Sequence, residues 1–352
     1  MRRRRWIAWI VGMLIVLGLL GWLLHGFDYQ RFRTALAATH WPFDVVLLAA
    51  VLLEQLLRAW KWRLAMRPVG SVPTLRLFGA TLASYLPGLV MGMGVALVAR
   101  AWLVARRSSL QTAAVLATAI VDRLIDGLAF LLVVVLTLGV AAIPVHSGKF
   151  RTGLIAGARI STLFIALGIT LVIWHRRHAL GRMLPFAWMH RLPQSLAKRV
   201  QNLSRAFAEG TIWPAEPGRA LAIGIAAMGI KALVISDMLW ATLAVGMLLR
   251  FTDYLLIMVF LSSVTVAGFF VRLPGGMLLA SAFVLNLLGV AKESALLAAV
   301  MMEGVFLLTY ATFGAAALLI YGVRPSELVR LSGKADGPVR EGNAQPPGIN
   351  KG

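Results

Sequence analysis

The stretch "AIVDRLIDGLAFLLVVVLTLGV", residues 119–140, decides the fold class of this chain. The apolar run continues beyond it, and the 20 residues from Leu124 to Ile143 contain no charge other than Asp126, which is about the length that spans a bilayer core as a helix. Asp122, Arg123 and Asp126 stand at its start. They are either solvated helix-end charges or a polar cluster between helices. The second interpretation is favoured, because charge inside hydrocarbon usually faces the protein interior and serves function.

The composition is that of an integral membrane protein. The chain has 352 residues, of which 59% are hydrophobic and 14% are charged, against about 25% charged residues in soluble domains. The net charge is +21. In a membrane protein this surplus is typical of cytoplasmic loops that face anionic lipid. Without a zinc knuckle or an RNP motif, no nucleic-acid partner is expected.

Catalytic and metal-binding motifs are missing from the sequence. There is no Cys, and the six His residues are scattered, so disulfides and Cys-ligated metals are excluded. No G-x-S-x-G or Walker loop occurs. We therefore predict no enzymatic activity, no metal and no cofactor.

The apolar runs predict an all-α, polytopic helical membrane bundle with about seven to eight spans. Residues 1–324 form the predicted membrane domain, and the polar, Pro- and Gly-rich residues 325–352 form a disordered tail. The number of crossings after residue 272 and the side of the C-terminus stay open. The predicted segments are 6–24, 43–60, 75–98, 111–143, 153–174, 220–248, 252–271, 273–292 and 293–322.

The basic residues predict the orientation of the spans. Residues 2–5 are four Arg, and the 174–219 connection carries eight Lys or Arg against two acids. By the positive-inside rule the N-terminus and this connection face the cytoplasm, which fits a bacterial inner membrane. The apolar run after the four Arg is long for a cleaved signal peptide, so we predict an uncleaved signal-anchor.

A Leu-Pro-Gly triplet occurs twice in apolar surroundings. "SYLPGLVMGMG" at 84–94 contains Pro87 and Gly88, and "VRLPGGMLLAS" at 271–281 contains Pro274 and Gly275. Pro removes an amide donor, and broken helices in two halves of a membrane protein are typical of transport sites. We predict helix breaks at both triplets, in re-entrant segments around 75–98 and 273–292 that form a two-fold internal repeat. The alternative is a pair of ordinary proline kinks.

Other charges within apolar segments are secondary candidates for a polar site. They form either one interior network or several interfacial pairs, and the pattern does not separate these cases. Glu54 and Arg58 form an i,i+4 pair in favourable order. The candidates are Glu54, Arg58, Lys231, Asp237, Glu293 and Glu303.

The order of several motifs resembles a flippase-like membrane family that includes the transmembrane region of lysylphosphatidylglycerol synthase. The motifs are "RAWKWRLAM" (58–66), "ARAWLVARRSSL" (99–110), "AVLATAIVDRLIDGLAFLL" (114–132) and "RLPGGM" (272–277) before a Glu-bearing last helix. Where that family shows an acid after the first Pro-Gly, this chain has Val95 and Ala96, and residues 277–282 also lack an acid. The resemblance implies movement of lipids or lipid-linked molecules between leaflets. No soluble domain is expected after residue 322.

The leading hypothesis is a lipid flippase with a polar intramembrane cavity. The predicted substrate-binding residues are Arg100, Asp122, Arg123 and Asp126. Arg100 and Arg123 would bind the phosphate of an anionic headgroup, because guanidinium groups bind phosphate with two parallel hydrogen bonds. Asp122 and Asp126 would orient Arg123 or carry protons. The expected partners are anionic membrane lipids. The alternatives are an accessory subunit of a lipid-modifying or glycan-assembly enzyme, and an enzyme of lipid headgroups, which the missing motifs disfavour.

Overall fold

The fold is all-α, as a computed structural model of the chain shows. The structure describes residues 14, 17–23, 25–91, 93–140, 159, 162–163, 165–171, 173–174, 202, 205, 207–211, 216–268 and 275–323. These residues contain no strand, and nine of their helices have defined bounds. The prediction of an all-α helical membrane protein is confirmed. In chain order the helices are α1 Tyr29–Ala37, α2 Pro42–Met66, α3 Thr74–Met91, α4 Met93–Arg106, α5 Thr112–Val140, α6 Pro217–Ala244, α7 Phe251–Gly268, α8 Gly276–Leu287 and α9 Lys292–Tyr321.

Two described helices, α6 and α9, are each long and apolar enough to cross a membrane. A third candidate is the pair α1 and α2, which bend by 81° at their junction and qualify together. The 25 residues of α2 are long enough to span, but their charges lower its hydropathy. Those charged residues are Asp44, Glu54, Arg58, Lys61 and Arg63. The prediction of seven to eight crossings stays a prediction.

Helix α2 lies at the centre of the bundle, where it packs against α3, α5, α6 and α9. Its first half enters one hydrophobic cluster through Leu47 and Val51. Its last turns enter a second cluster through Trp62 and Met66. Polar residues of α2, which begin with the buried Glu54, lie between these two apolar regions. The centre of the bundle therefore contains a polar layer between two apolar layers.

The first predicted interruption, at Pro87 and Gly88, is wrong. Helix α3 continues through both residues to Met91, and both are buried. Beside this segment α3 packs closely against α9, where a Cβ added to Gly314 would lie 2.9 Å from the carbonyl oxygen of Leu82. Neighbouring helices allow a membrane helix to accept an internal proline. The boundary lies later, since α4 begins at Met93.

The second predicted interruption is confirmed at Gly275. Helix α7 ends at Gly268, and α8 begins at Gly276 with Gly275 as its N-cap at φ 68°. This left-handed conformation costs glycine little and other residues more. Pro274, the N-terminal arginines, most of the 174–219 connection and the 325–352 tail lie outside the described residues. The two-fold repeat stays a prediction.

Candidate charged site in the helical bundle

The two acids of the opening stretch are interior residues. Helix α5 begins at Thr112, ten residues before Asp122, so these side chains are about 15 Å from the helix start. Asp122 is 2% exposed and Asp126 is 7% exposed. They lie one turn apart on one face of α5, as their spacing predicts. Arg123 lies about 100° around the helix, and its side chain is 38% exposed.

Lys61 on α2 bridges the two acids. Its Nζ lies 3.1 Å from Asp122 Oδ1 and donates a hydrogen bond to Asp126 Oδ1. The Lys61 side chain is 0% exposed. Buried charges are tolerated when they are paired and hydrogen-bonded. One ammonium group therefore compensates two carboxylates that come from a different helix.

Arg58 adds a second link between α2 and α5. Its Nη1 donates to Asp126 Oδ2 at 3.1 Å, and its Nη2 lies 2.5 Å from Glu54 Oε1 on the same helix. Glu54, Arg58 and Lys61 are spaced i, i+4 and i+7, which places them along one face of α2. Hydrogen bonds between ionised groups are about twice as strong as neutral ones. This face of α2 is therefore firmly tied to Asp126.

Arg100 on α4 completes the buried part of the site. It is 2% exposed, and its Nη2 lies 3.5 Å from Asp122 Oδ2. Its guanidinium carbon lies 4.2 Å from the ring centroid of Trp62, whose Nε1 donates to Thr118 Oγ1 at 3.1 Å. Within the described part of the chain, Arg100 Nε and Nη2 have no hydrogen-bond partner. Stacking on Trp62 thus positions the Arg100 guanidinium, and its Nε and Nη2 can still donate hydrogen bonds to a ligand.

Arg123 lies at the edge of the same arrangement. Its Nη1 is 3.8 Å from Asp126 Oδ2, which is an ion pair but too long for a hydrogen bond. Arg100 and Arg123 are close enough to repel each other electrostatically.

We name the seven residues on α2, α4 and α5 the charged site. It contains four basic and three acidic side chains, which leaves one positive charge in excess. Because low-dielectric surroundings strengthen electrostatic interactions, such an excess favours an anion. The seven residues are Glu54, Arg58, Lys61, Arg100, Asp122, Arg123 and Asp126.

Lys231 and Asp237 on α6 border the charged site. Lys231 is half-buried, 5.9 Å from the ring centroid of Phe130, and acts electrostatically on Asp126. Asp237 is 2% exposed and interacts electrostatically with Glu54. Neither oxygen of its carboxyl group has a hydrogen-bond partner among the described residues. Both secondary candidates therefore lie near the charged site.

Glu293 and Glu303 on α9 do not join the charged site. Glu293, at the start of α9, accepts a hydrogen bond from the backbone amide of Asp28 at 3.1 Å and thereby holds the segment before α1. Glu303 is half-buried and forms no hydrogen bond or ion pair with the charged site in the regions that the structure describes. Of the secondary candidates, Glu54 and Arg58 therefore belong to the charged site, whereas Glu293 lies apart from it.

Sequence reasoning missed three groups near the site. Lys61 and Trp62 belong to a basic, aromatic run that is also typical of a membrane interface, although the i, i+4, i+7 spacing from Glu54 could have indicated Lys61. Tyr85 on α3 donates to Gln55 at 3.2 Å and stacks on Tyr310 at 4.3 Å. No local pattern indicates this last pairing.

The fold and the charged site define the class of this protein: it is a helical membrane protein with a site of net positive charge inside the bundle. The family to which the chain belongs is of the same class. The family model described as the lysylphosphatidylglycerol synthase transmembrane region matches residues 9–314, a range that contains the whole charged site. The chain therefore belongs to this family, as the motifs predicted. It is a membrane protein of a lipid-modifying family. Comparisons with curated proteins and with solved structures gave no match.

Proposed function

We propose that the chain moves lipids or lipid-linked molecules between the leaflets of a bacterial inner membrane, and that the charged site binds their anionic headgroup. The observation that carries the proposal is Arg100, a buried guanidinium stacked on Trp62, whose Nε and Nη2 donate no hydrogen bond among the described residues although Nη2 lies 3.5 Å from Asp122 Oδ2. A planar guanidinium matches two oxygens of a phosphate. Trp62 holds this fork in place.

The charge of the site supports an anionic substrate. Its single excess positive charge is neutralised by one singly charged phosphodiester. Moving a charged headgroup through the hydrocarbon core of the bilayer has a high free-energy cost when the charge is unpaired. Ion pairs with Lys61 and Arg58 hold Asp126 in place, so the cations keep their positions while a headgroup passes. The acyl chains stay in the surrounding lipid.

The test is transfer of a tail-labelled fluorescent phosphatidylglycerol in vesicles that contain the purified protein. An impermeant quencher added outside reports the labelled lipid that reaches the outer leaflet. Arg123→Ala is expected to lower the transfer rate at least about tenfold, because it removes a phosphate donor from the edge of the site. Arg123→Lys should restore little, since it lacks the planar fork.

Arg67→Ala is the matched control, because Arg67 is an exposed residue just after α2. It should transfer lipid at the wild-type rate. Equal rates for Arg123→Ala and wild type would remove Arg123 from the site. A wild-type rate no faster than that of protein-free vesicles would overturn translocation itself, which leaves the accessory-subunit hypothesis.

The proposed orientation has its own test, which uses the absence of native Cys. Ser109 and Ala38 are exposed and lie near opposite ends of α2. Ala38 lies just before the start of α2. Ser109 is next to Leu110, and Leu110 contacts Gly70, which follows the end of α2. An impermeant maleimide should label Ala38→Cys on intact cells, and label Ser109→Cys only after permeabilisation. The reverse pattern would invert the proposed topology.

A further inference from the structure

A groove separate from the charged site lies where α3 begins and α9 ends. Its volume is about 360 Å³. Gly79 and Ala317 form its floor, and a Cβ added to Gly79 would lie 3.3 Å from the Tyr321 ring. Small residues therefore give the groove its depth. Its apolar walls are Leu75, Phe78, Leu82, Phe313, Ala316 and Ile320.

Two arginines, Arg76 and Arg107, lie at the groove, and the surrounding structure holds the Arg107 side chain. Arg107, just after α4, donates from Nη2 to the carbonyl oxygen of Ile320 at 2.5 Å. Its guanidinium carbon lies 5.0 Å from the Tyr321 ring centroid, and the Tyr321 hydroxyl donates to the Arg76 carbonyl oxygen. In the described part of the chain, neither Arg76 nor Arg107 forms an ion pair with a carboxylate. Among the residues that the structure describes, the charge at this groove is therefore purely positive.

We propose that this α3–α9 groove binds an anionic phospholipid, with an acyl chain along its apolar walls and the phosphate at Arg76 and Arg107. The walls continue into an outer surface where Leu75 is 74% exposed and Ile320 is 70% exposed. Because α9 is long and apolar enough to cross a membrane, lipid tails are the natural cover for this surface. Uncompensated cations next to it attract an anionic headgroup.

The location fits a lipid of the leaflet at the basic end of the bundle. Basic residues cluster at this end, where α2 ends and α4 ends, and Lys and Arg are enriched on the cytoplasmic side. A free anion would gain nothing from the apolar walls, whereas a phospholipid uses both parts of the groove. The α3–α9 groove contains no residue of the charged site. Lipid binding in the groove can therefore be tested independently of lipid translocation.

The experiment measures phospholipid retained by purified protein in native mass spectrometry, with phosphatidylglycerol and phosphatidylcholine offered separately. Ala316→Trp fills the groove from an exposed wall position and leaves both arginines in place. The double variant Arg76→Gln/Arg107→Gln removes the charge and leaves the walls. Each variant is expected to lose one bound phosphatidylglycerol, or to bind it at least about fivefold more weakly. The first variant removes the space for the acyl chain, and the second removes the cations that contact the phosphate.

Arg67→Gln, at the same end of the bundle but outside the groove, is the matched control and should bind as wild type does. Any phosphatidylglycerol held at the charged site is common to all these proteins and cancels in the comparison. Unchanged binding in Ala316→Trp, with its thermal stability retained, would overturn the proposal. So would equal retention of phosphatidylcholine, or full displacement by inorganic phosphate, which indicates a free-anion site.

Discussion

Lys61→Met is expected to destabilise the protein more than any other single substitution considered. The side chain is 0% exposed and pairs with both Asp122 and Asp126. Met has a similar length and volume, so the substitution leaves packing nearly unchanged. It removes the cation that lies between two buried carboxylates and leaves Asp126 with Arg58 and Asp122 with Arg100 at 3.5 Å. Removing one partner of a buried ion pair costs about 3–5 kcal/mol. Thermal unfolding of the purified protein in detergent measures the loss.

Two comparisons separate lost charge pairing from general damage to α2. Arg63→Met changes an exposed cation two residues away, and exposed pairs contribute about 0–1 kcal/mol. Adding Asp126→Asn to Lys61→Met should recover part of the stability, since it removes one of the two negative charges that Lys61 compensated and leaves Arg58 paired with Glu54. If Lys61→Met unfolded at the same temperature as Arg63→Met, the polar layer between α2 and α5 would not be held by Lys61.

Arg100→Lys is expected to stop lipid transfer while the fold survives. Lysine keeps a positive charge beside Asp122 and near Trp62, where Arg100 now lies. It lacks the planar fork whose Nε and Nη2 are the proposed phosphate donors. We expect a fall of at least about tenfold in transfer rate, equivalent to about 1.4 kcal/mol of activation free energy. The vesicle assay measures the rate, and thermal unfolding verifies the fold.

The matched control is Arg106→Lys on the same helix. Arg106 lies at the end of α4 with its guanidinium carbon 5.2 Å from the Trp102 ring centroid, the same type of stacking outside the charged site. It should transfer lipid at the wild-type rate. A wild-type rate for Arg100→Lys would mean that any cation suffices at this position, and the bidentate phosphate contact would be wrong.

Of the charged site, the sequence predicted the acids on α5 but not their partner Lys61 on α2. The spacing of Asp122 and Asp126 within a long apolar run predicted two acids on one interior face, and both are buried. Lys61 was missed because a cation in a basic run at the end of an apolar segment is typical of an interface. Only the packing of α2 against α5 shows that it points inward. Local spacing also could not show that Arg123 is partly exposed.

The two Leu-Pro-Gly triplets show the limit of local signals in the fold. Both predict a helix break, yet α3 continues through Pro87 whereas Gly275 caps α8. The first triplet lies next to a close helix contact, since Gly314 on α9 allows a close approach to α3 at Leu82. A proline favours a break, but tertiary packing decides whether the helix continues. That packing partner lies more than 200 residues away in the chain.

The charges of α2 also bear on the order in which the chain can enter the membrane during synthesis. Lys61 and its two acidic partners are separated by 61 and 65 residues in the chain, so α2 leaves the ribosome well before α5. A lone cation raises the free energy of insertion, by about 2.5–3.5 kcal/mol at the bilayer centre and by less near a helix end, and Lys61 lies close to the end of α2. We therefore expect α2 to be inserted more stably once α5 has been made and its two acids neutralise Lys61.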